Sequence, residues 1–314
     1  MGLGVKEITC FKGELHTVLD VLRWTVTQFE RAGLFYGHGT DNAWDEACLL
    51  LMKHLYVSAH QLKVCFDAHL TAIEKVGLLK DIQCRIDQRM PLPYITGQAW
   101  FCELPFVVDR RVLIPRSGFS ELIDARFEPF FHPPEQAASR WAILEIGTGS
   151  GCIAIAMAYA FETASIDAVD ISADALAVAQ HNVMDFGLED RVVLIQSDLF
   201  SALVGKTYHL IVSNPPYVSE QEMLDLPPEY HYEPRLALEA GDEGLDIVLR
   251  LLREAPQYLV PGGLLVVEVG EGQARLEARF PDIPFVWFAL AYGGEGIFCL
   301  SREAILACWD QLGG

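Results

Sequence analysis

Residues 213–217 read Ser-Asn-Pro-Pro-Tyr and directly follow the apolar run YHLIV at 208–212. Two prolines at the end of an apparent buried strand remove two backbone donors and fix two φ angles, which a sheet interior normally avoids. Residues that precede proline are pushed to extended conformations, so Asn214 and Pro215 are both restricted and the segment is stiff. Such a turn can hold a planar nitrogen group. The Asn214 side-chain oxygen and the Pro215 carbonyl are candidate acceptors for its two N–H bonds, which favours a more pyramidal, reactive nitrogen. Tyr217 is a candidate to cover the plane by stacking. Taken alone, a proline-rich turn that only caps a strand explains the same residues equally well.

A second group of residues sharpens the choice. Glu145-Ile146-Gly147-Thr148-Gly149-Ser150-Gly151 lies where an apolar strand turns into a helix. Glycines there permit a tight turn and close approach of a ligand, and the helix N-terminus offers free N–H groups. A dinucleotide fingerprint would need glycine at 152, where this chain has Cys152, and no phosphate-cradling loop ending in Gly-Lys-Ser/Thr is present. The alternate glycines after an acid instead resemble motif one of the S-adenosylmethionine-dependent methyltransferases. Asp170 ends the next strand, about 20 residues on, where a carboxylate can bind both ribose hydroxyls, and Asp198 in QSDLF is similarly placed for the adenine amine. Each aspartate alone is more often a cap or turn residue. Together, at successive strand ends, Glu145, Gly147, Gly149, Gly151, Asp170, Asp198 and Asn214 outline a nucleoside site.

These residues need a scaffold. From Gly13 to Met90 the spacing is helical: Leu15, Val18, Leu19, Leu22 and Val26 share a face, Ala47, Leu50, Leu51, His54 and Leu55 another, with Asp41 as the expected N-cap. Further helices fit 58–67 and 70–89. Pro91 and Pro93 end this half, and the aromatic and β-branched stretch 99–116, broken near Glu103–Pro105, reads as a hairpin. A helix at 118–130 and a polar break at 132–140 follow. Strands at 141–147, 165–170, 191–197, 208–213 and 264–270 then alternate with helices at 150–160, 172–186 and 243–258, ending in strands near 284–290 and 296–301. That alternation predicts an α/β fold with a parallel, doubly wound sheet. The expected organisation is a small N-terminal helical domain over 1–97, a bridging β-hairpin over 98–116 and a Rossmann-like methyltransferase domain over 117–314.

Bulk properties bound the reading. A chain of 314 residues with 51% hydrophobic and 21% charged residues is expected to fold throughout, as two domains. Its eight cysteines show no C-x-x-C pair and no zinc spacing, and read as buried thiols in a reducing compartment; no metal is expected. MGLGVKEITC lacks an apolar targeting core, and the most membrane-like window, 142–161, carries Glu145 and three glycines, so a cytoplasmic protein without membrane association is expected. The net charge of −20 is uneven: residues 1–97 hold ten bases and eleven acids, whereas the remainder holds 13 and 32. Such a field repels nucleic-acid phosphate and attracts basic partners, although solubility alone explains an acidic surface.

The sequence is identified as similar to a known family on several segments. Asn-Pro-Pro-Tyr occurs in methyltransferases of the adenine exocyclic amine and in the HemK-type protein glutamine methyltransferases. RMPLPYITGQAWFCELPFVVDRRVLIPR (89–116), DAVDIS (167–172), SDLF (197–200), EYHYEPRLALEAGDEGLD (229–246) and GGEGIF (293–298) resemble the second group in order, over nearly the whole chain. Release-factor methyltransferases carry an acidic Pro-Glu-Thr-Glu run after the Pro-Arg. Here Pro115-Arg116 is followed by Ser117-Gly118-Phe119-Ser120-Glu121, which, with Asn42–Glu46 and Ala99-Trp100-Phe101, resembles the branch acting on ribosomal protein L three. The resemblance implies S-adenosyl-L-methionine as cofactor, a glutamine of a basic large-subunit ribosomal protein as substrate, and a class I methyltransferase fold. It also implies a substrate pocket with Phe101 on one side and Asn214, Pro215, Pro216 and Tyr217 on the other, although Phe101 reads equally well as ordinary core. Nine acids between 220 and 246 against the one base Arg235 are expected to rim the opening and orient a basic partner. A release-factor glutamine and an adenine amine on nucleic acid are the rival acceptors, the latter without the basic groove it needs. An inactive scaffold of the same fold is the rival from another class. His231, between two tyrosines, has no assigned role.

Overall fold

A computed structural model describes residues 2–134, 141–291 and 296–312. Residues 135–140 of the polar break and 293–295 of GGEGIF lie outside the described residues. The chain divides into two compact units, one formed by Met1–Ala99 with Pro227–Tyr232 and the other by Trp100–Leu226 with Glu233–Gly314.

The first unit is built from α1 (Val5–Gly13), α2 (Val18–Ala32), α3 (Ala43–Leu55), α4 (Ala59–Val64), α5 (Ala72–Asp87) and α6 (Leu92–Thr96). α2 begins at a reciprocal cap, in which Asp20 N–H donates to Thr17 and the Asp20 carboxylate accepts from Thr17 N–H, and it ends at Gly33 with φ 58°. Its apolar stripe, Val18, Val21, Leu22 and Phe29, is buried with Phe11, Leu50, Leu51, Leu78 and Ile82. α3 is capped by Asn42 rather than by the expected Asp41, because the Asn42 side-chain oxygen accepts from Asp45 N–H at 2.8 Å.

At the centre of this unit Arg85 is fully buried. Its guanidinium donates to Glu46 Oε2 at 2.8 Å, Glu229 Oε1 at 3.2 Å and the Phe35 carbonyl at 2.7 Å. Phe35 N–H and Arg89 also reach Glu229. This arrangement corrects the expected assignment of 227–232 to the second domain: a carboxylate buried against two arginines holds that stretch among the helices. Arg85→Met is expected to lower stability by about 3–5 kcal/mol, because buried Glu46 loses its paired guanidinium and buried Glu229 loses one of its two arginines. An unchanged midpoint in chemical denaturation would rule this account out.

The second unit begins within a hairpin of β1 (Gln98–Phe101) and β2 (Leu104–Val107). Its two turn residues, Cys102 and Glu103, have φ of 47° and 61°, the left-handed pair whose twist suits a two-residue loop. The expected strand character to 116 stops at Val107. Beyond it come α7 (Phe119–Asp124), β3 (Ala142–Ile146), α8 (Cys152–Ala160), β4 (Ser165–Asp170), α9 (Ala173–Asp185), β5 (Val192–Gln196) and β6 (Tyr208–Ser213). After these follow α10 (Glu220–Asp225), α11 (Asp246–Glu254), β7 (Leu259–Glu268), α12 (Gln273–Arg279), β8 (Val286–Trp287), β9 (Ile297–Ser301) and α13 (Arg302–Ala307). α7 is half the predicted length, since Arg126 and Phe127 turn to φ of 52° and 59° and close its end.

The strands form one seven-stranded sheet in the order β5-β4-β3-β6-β7-β9-β8. Alternate residues serve two apolar layers: Ile143, Ile166, Leu210 and Val212 face one, Leu144, Val169, Ile211 and Val267 the other. Burial on both faces explains why these strands are mostly apolar and do not alternate with polar residues at every second position. The expectation of a parallel sheet needs one correction, because β9 runs antiparallel to both β7 and β8. Too few residues separate β8 from β9 for a crossover helix, so the chain returns antiparallel. The thiols also differ from expectation: all eight are free, but only Cys152, Cys299 and Cys308 are buried.

Candidate active site

Strand order places the site. β3 and β6 are neighbours, while the chain continues from β3 to β4 on one side and from β6 to β7 on the other. A crevice opens outside the carboxyl ends of the strands at such a reversal. Ile146 pairs with Ser213, and the Ser213 hydroxyl donates to the Ile146 carbonyl at 2.8 Å. Gly147 and Asn214 therefore leave the sheet side by side, and a Cβ on Gly147 would stand 3.7 Å from the Asn214 carbonyl oxygen. A cavity of about 240 Å³ opens here, lined by Gly147, Gly149, Asp170, Asp198, Asn214, Pro215 and Pro216 among others.

The glycine turn is open toward this space. Gly147 and Gly149 have φ of 77° and 55°, and a Cβ on Gly149 would meet no protein atom within 4 Å. Gly149 N–H donates to Asp170 Oδ2 and Ser172 N–H to Asp170 Oδ1, each at 2.9 Å. Burial pushes this carboxyl above the ordinary aspartate range, opposed by those N–H groups. The carboxylate is thus oriented, and each oxygen retains a lone pair for a further donor. Asp198 accepts from Arg250 Nη1 at 2.8 Å, and both residues line the cavity. The other cavity base, Arg111, is engaged with Asp109.

Four expected site residues lie elsewhere. Glu145 is buried beneath the turn, where Oε2 accepts from the Thr148 hydroxyl at 2.6 Å and Ala154 N–H at 2.9 Å. Burial pushes it up to about 8, opposed by those two bonds, and the side chain braces the helix start from outside the cavity lining. Gly151 does not line the cavity either; a Cβ there would lie 3.3 Å from Ala179 Cβ, so glycine lets α8 and α9 approach. Phe101 is 5% exposed within the apolar core, because strand alternation turns it inward and leaves Trp100 outside. Tyr217 is absent from the lining. Its hydroxyl donates to Glu268 Oε1 at 3.3 Å, and its ring packs on Gly270.

Sequence reasoning missed other parts of the wall. Arg111, Val112 and Leu113 line the cavity from a stretch read as strand, and Pro234, Leu236 and Ala237 from one read as acidic and as resembling the family but not as part of the site. Leu236 is 59% exposed at this wall, and its apolar character alone does not distinguish such a place from ordinary core. The acidic rim itself is corrected: Glu229 and Glu233 are buried, the latter against Arg116 at 2.6 Å. Glu222, Glu239 and Glu243 pair with Arg275, Arg235 and Arg279. Of the nine acids, Glu220, Asp225, Asp242 and Asp246 remain at the surface outside these pairs.

Residues 133–226 match the Methyltransferase small domain family. A protein of Francisella tularensis subsp. tularensis, named ribosomal protein uL3 glutamine methyltransferase, is 44% identical over 94% of this chain and 93% of its own length. A protein of Neisseria meningitidis serogroup A with the same name is 46% identical over 93% and 95%. Among solved structures, the hMettl16 catalytic domain in complex with a MAT2A 3′UTR hairpin superposes with a TM-score of 0.49 at 18% identity, over 74% of this chain and 81% of that one. No helix among the described residues is long and apolar enough to cross a membrane. With relatives of this identity over almost its full length, and with a switch-point cavity lined by the glycine turn and Asn214-Pro215-Pro216, the chain belongs to the ribosomal protein uL3 glutamine methyltransferase family.

Proposed function

We propose that the protein transfers a methyl group from S-adenosylmethionine to the side-chain amide nitrogen of a glutamine in ribosomal protein uL3. The observation that carries this reading is the meeting of Asn214 and Pro215 with Gly147, Gly149 and Asp170 around one cavity. The cavity suits a nucleoside without phosphate, since Arg111 and Arg250 are both neutralised by aspartates. A side chain at Gly149 would project into the free space over the turn, so the glycine keeps it clear for a ligand. Gly147 and Gly149 would hold the amino-acid part of the cofactor, Asp170 the ribose hydroxyls and Asp198 the adenine amine. When bound, S-adenosylmethionine supplies a methyl carbon already activated by its sulfonium.

The glutamine nitrogen would gain the methyl as the carbon–sulfur bond breaks, giving N5-methylglutamine and S-adenosylhomocysteine with one amide proton lost to solvent, and the protein's own task is positioning. Asn214 Oδ1 and the Pro215 carbonyl accept from the two N–H bonds of the glutamine amide. This orients the nitrogen lone pair and favours its pyramidal form. Fixing reactants in this way is worth roughly 7–11 kcal/mol in favourable cases, so no covalent nucleophile is needed. The names of both relatives and the Ser117-Gly118-Phe119 departure favour uL3 over a release factor. A ribosomal-protein substrate supports a cytoplasmic setting for the reaction. The surface acids Glu220, Asp225, Asp242 and Asp246 would help to orient a basic substrate.

Intact-mass analysis of uL3 after incubation with the enzyme and S-adenosylmethionine should show one added methyl on one glutamine. Transfer to a release factor in preference to uL3, or to neither, would overturn the assignment.

A further inference from the structure

Glu268 is a buried carboxylate for which the reaction above has no use. It ends β7, one residue beyond the Val267–Ser213 pair, and so comes level with Asn214 at the head of the turn. It is 8% exposed. Two hydroxyls converge on it: Tyr217 donates to Oε1 at 3.3 Å and Ser117 donates to Oε2. The Ser117 oxygen itself accepts from Phe119 N–H at 3.1 Å, which directs its proton to the carboxylate. Behind the Tyr217 ring lies Gly270 with φ 48°, where a Cβ would stand 2.7 Å from ring carbon Cε2. The ring is therefore seated against backbone at one side and bonded at its tip.

We propose that Glu268 is a positioning residue for the methyl transfer, fixing the 214–217 turn from behind through the hydroxyls of Tyr217 and Ser117. The inference rests on the reading given under Proposed function. Its physical basis is the distribution of freedom along the turn. Pro215 and Pro216 have their φ fixed by their rings, and Asn214 and Pro215 are further restricted by the proline that follows each. The remaining freedom lies at Tyr217, and Glu268 anchors it there. A carboxylate suits this place because it has lone pairs on two oxygens and accepts from two hydroxyls at once. An apolar residue would pack there without the desolvation that a buried acid suffers. Burial does push Glu268 above the ordinary glutamate range, opposed by the two hydroxyls and the nearby Arg116.

The test compares Glu268→Ala, Glu268→Gln, Tyr217→Phe and the double variant Tyr217→Phe/Glu268→Ala in kcat for uL3 and in Kd for S-adenosylmethionine. Glu268→Ala should lower kcat about 30-fold, as expected for a small misplacement of the reacting groups, with Kd within about twofold. Glu268→Gln keeps one acceptor and offers the other hydroxyl a donor, so kcat should stay within about fivefold. The double variant should be no slower than the slower single variant, since both remove the same bond. Additive losses, or cofactor binding lost in parallel with kcat, would overturn the proposal. Should Glu268→Ala fail to fold, Glu268→Leu, which refills the volume, takes its place in the cycle. 3-Fluorotyrosine at 217 gives a readout independent of the acceptor: its ¹⁹F resonance should shift or broaden in the Glu268 variant, and an unmoved resonance would overturn the anchoring. A wild-type enzyme inactive on uL3 would instead refute the substrate reading and leave the ¹⁹F result to judge Glu268.

Discussion

Asn214→Ala is expected to lower kcat by about a thousandfold while leaving the Kd of S-adenosylmethionine within about twofold, the pattern of a contact made to the reacting amide and not to the cofactor. The substitution removes the side-chain oxygen assigned to the substrate N–H. It leaves in place the backbone carbonyl that faces Gly147 and the Ser213 hydroxyl bond that ties β6 to β3. Asp170 and the glycine turn keep their contacts, because they depend on Ser172 and one another. Single-turnover rates and calorimetry on the same preparation separate the two quantities. A variant that turns over like the wild type would remove Asn214 from the mechanism, and one that loses cofactor affinity in equal measure would reassign it to the cofactor.

The second large effect lies in the acceptor. Replacing the target glutamine of uL3 by glutamate should reduce kcat/KM by about four orders of magnitude, because a site built around hydrogen bonds rejects a partner that cannot make them. The carboxylate presents no N–H to Asn214 Oδ1 or the Pro215 carbonyl. Pro215 and Pro216, both in the cavity lining, have no backbone N–H with which to receive its charge. The comparison is made with uL3 carrying glutamine, glutamate or asparagine at the modified position and quantified by transfer of labelled methyl. A glutamate substrate methylated within about a hundredfold of the glutamine one would show that acceptor hydrogen bonds do not set the specificity.

The parts of the fold legible in the sequence were those governed by local rules. Predominantly apolar runs such as YHLIV and LLVVEV announced strands buried on both faces, and the glycine turn with Asp170 marked the cavity because each needs a residue type that few others replace. What remained hidden depended on partners distant in sequence. Glu229 and Glu233 read as surface acids because their arginines, Arg85 and Arg116, stand more than a hundred positions away. Glu145 occupies the place of a ligand in the motif, yet its partners are Thr148 and Ala154 and its environment is dry. Val112 and Leu113 line the cavity from irregular backbone, and hydrophobic patterning does not distinguish that use from strand packing. β9 runs against its neighbours because its connection from β8 is short, a property of length and not of the apolar residues within it.

Glu229 also bears on the order of biosynthesis. The helical unit draws its centre from both ends of a gap longer than a hundred residues, so translation delivers α1 to α6 well before the carboxylate that meets Arg85 and Arg89. Until residue 229 leaves the ribosome, a nascent helical segment holds two cationic side chains whose final counter-ion has not been made. Its maturation is therefore timed to late elongation, after β3 to β6 have been delivered and with β7, β8 and β9 following behind residue 229.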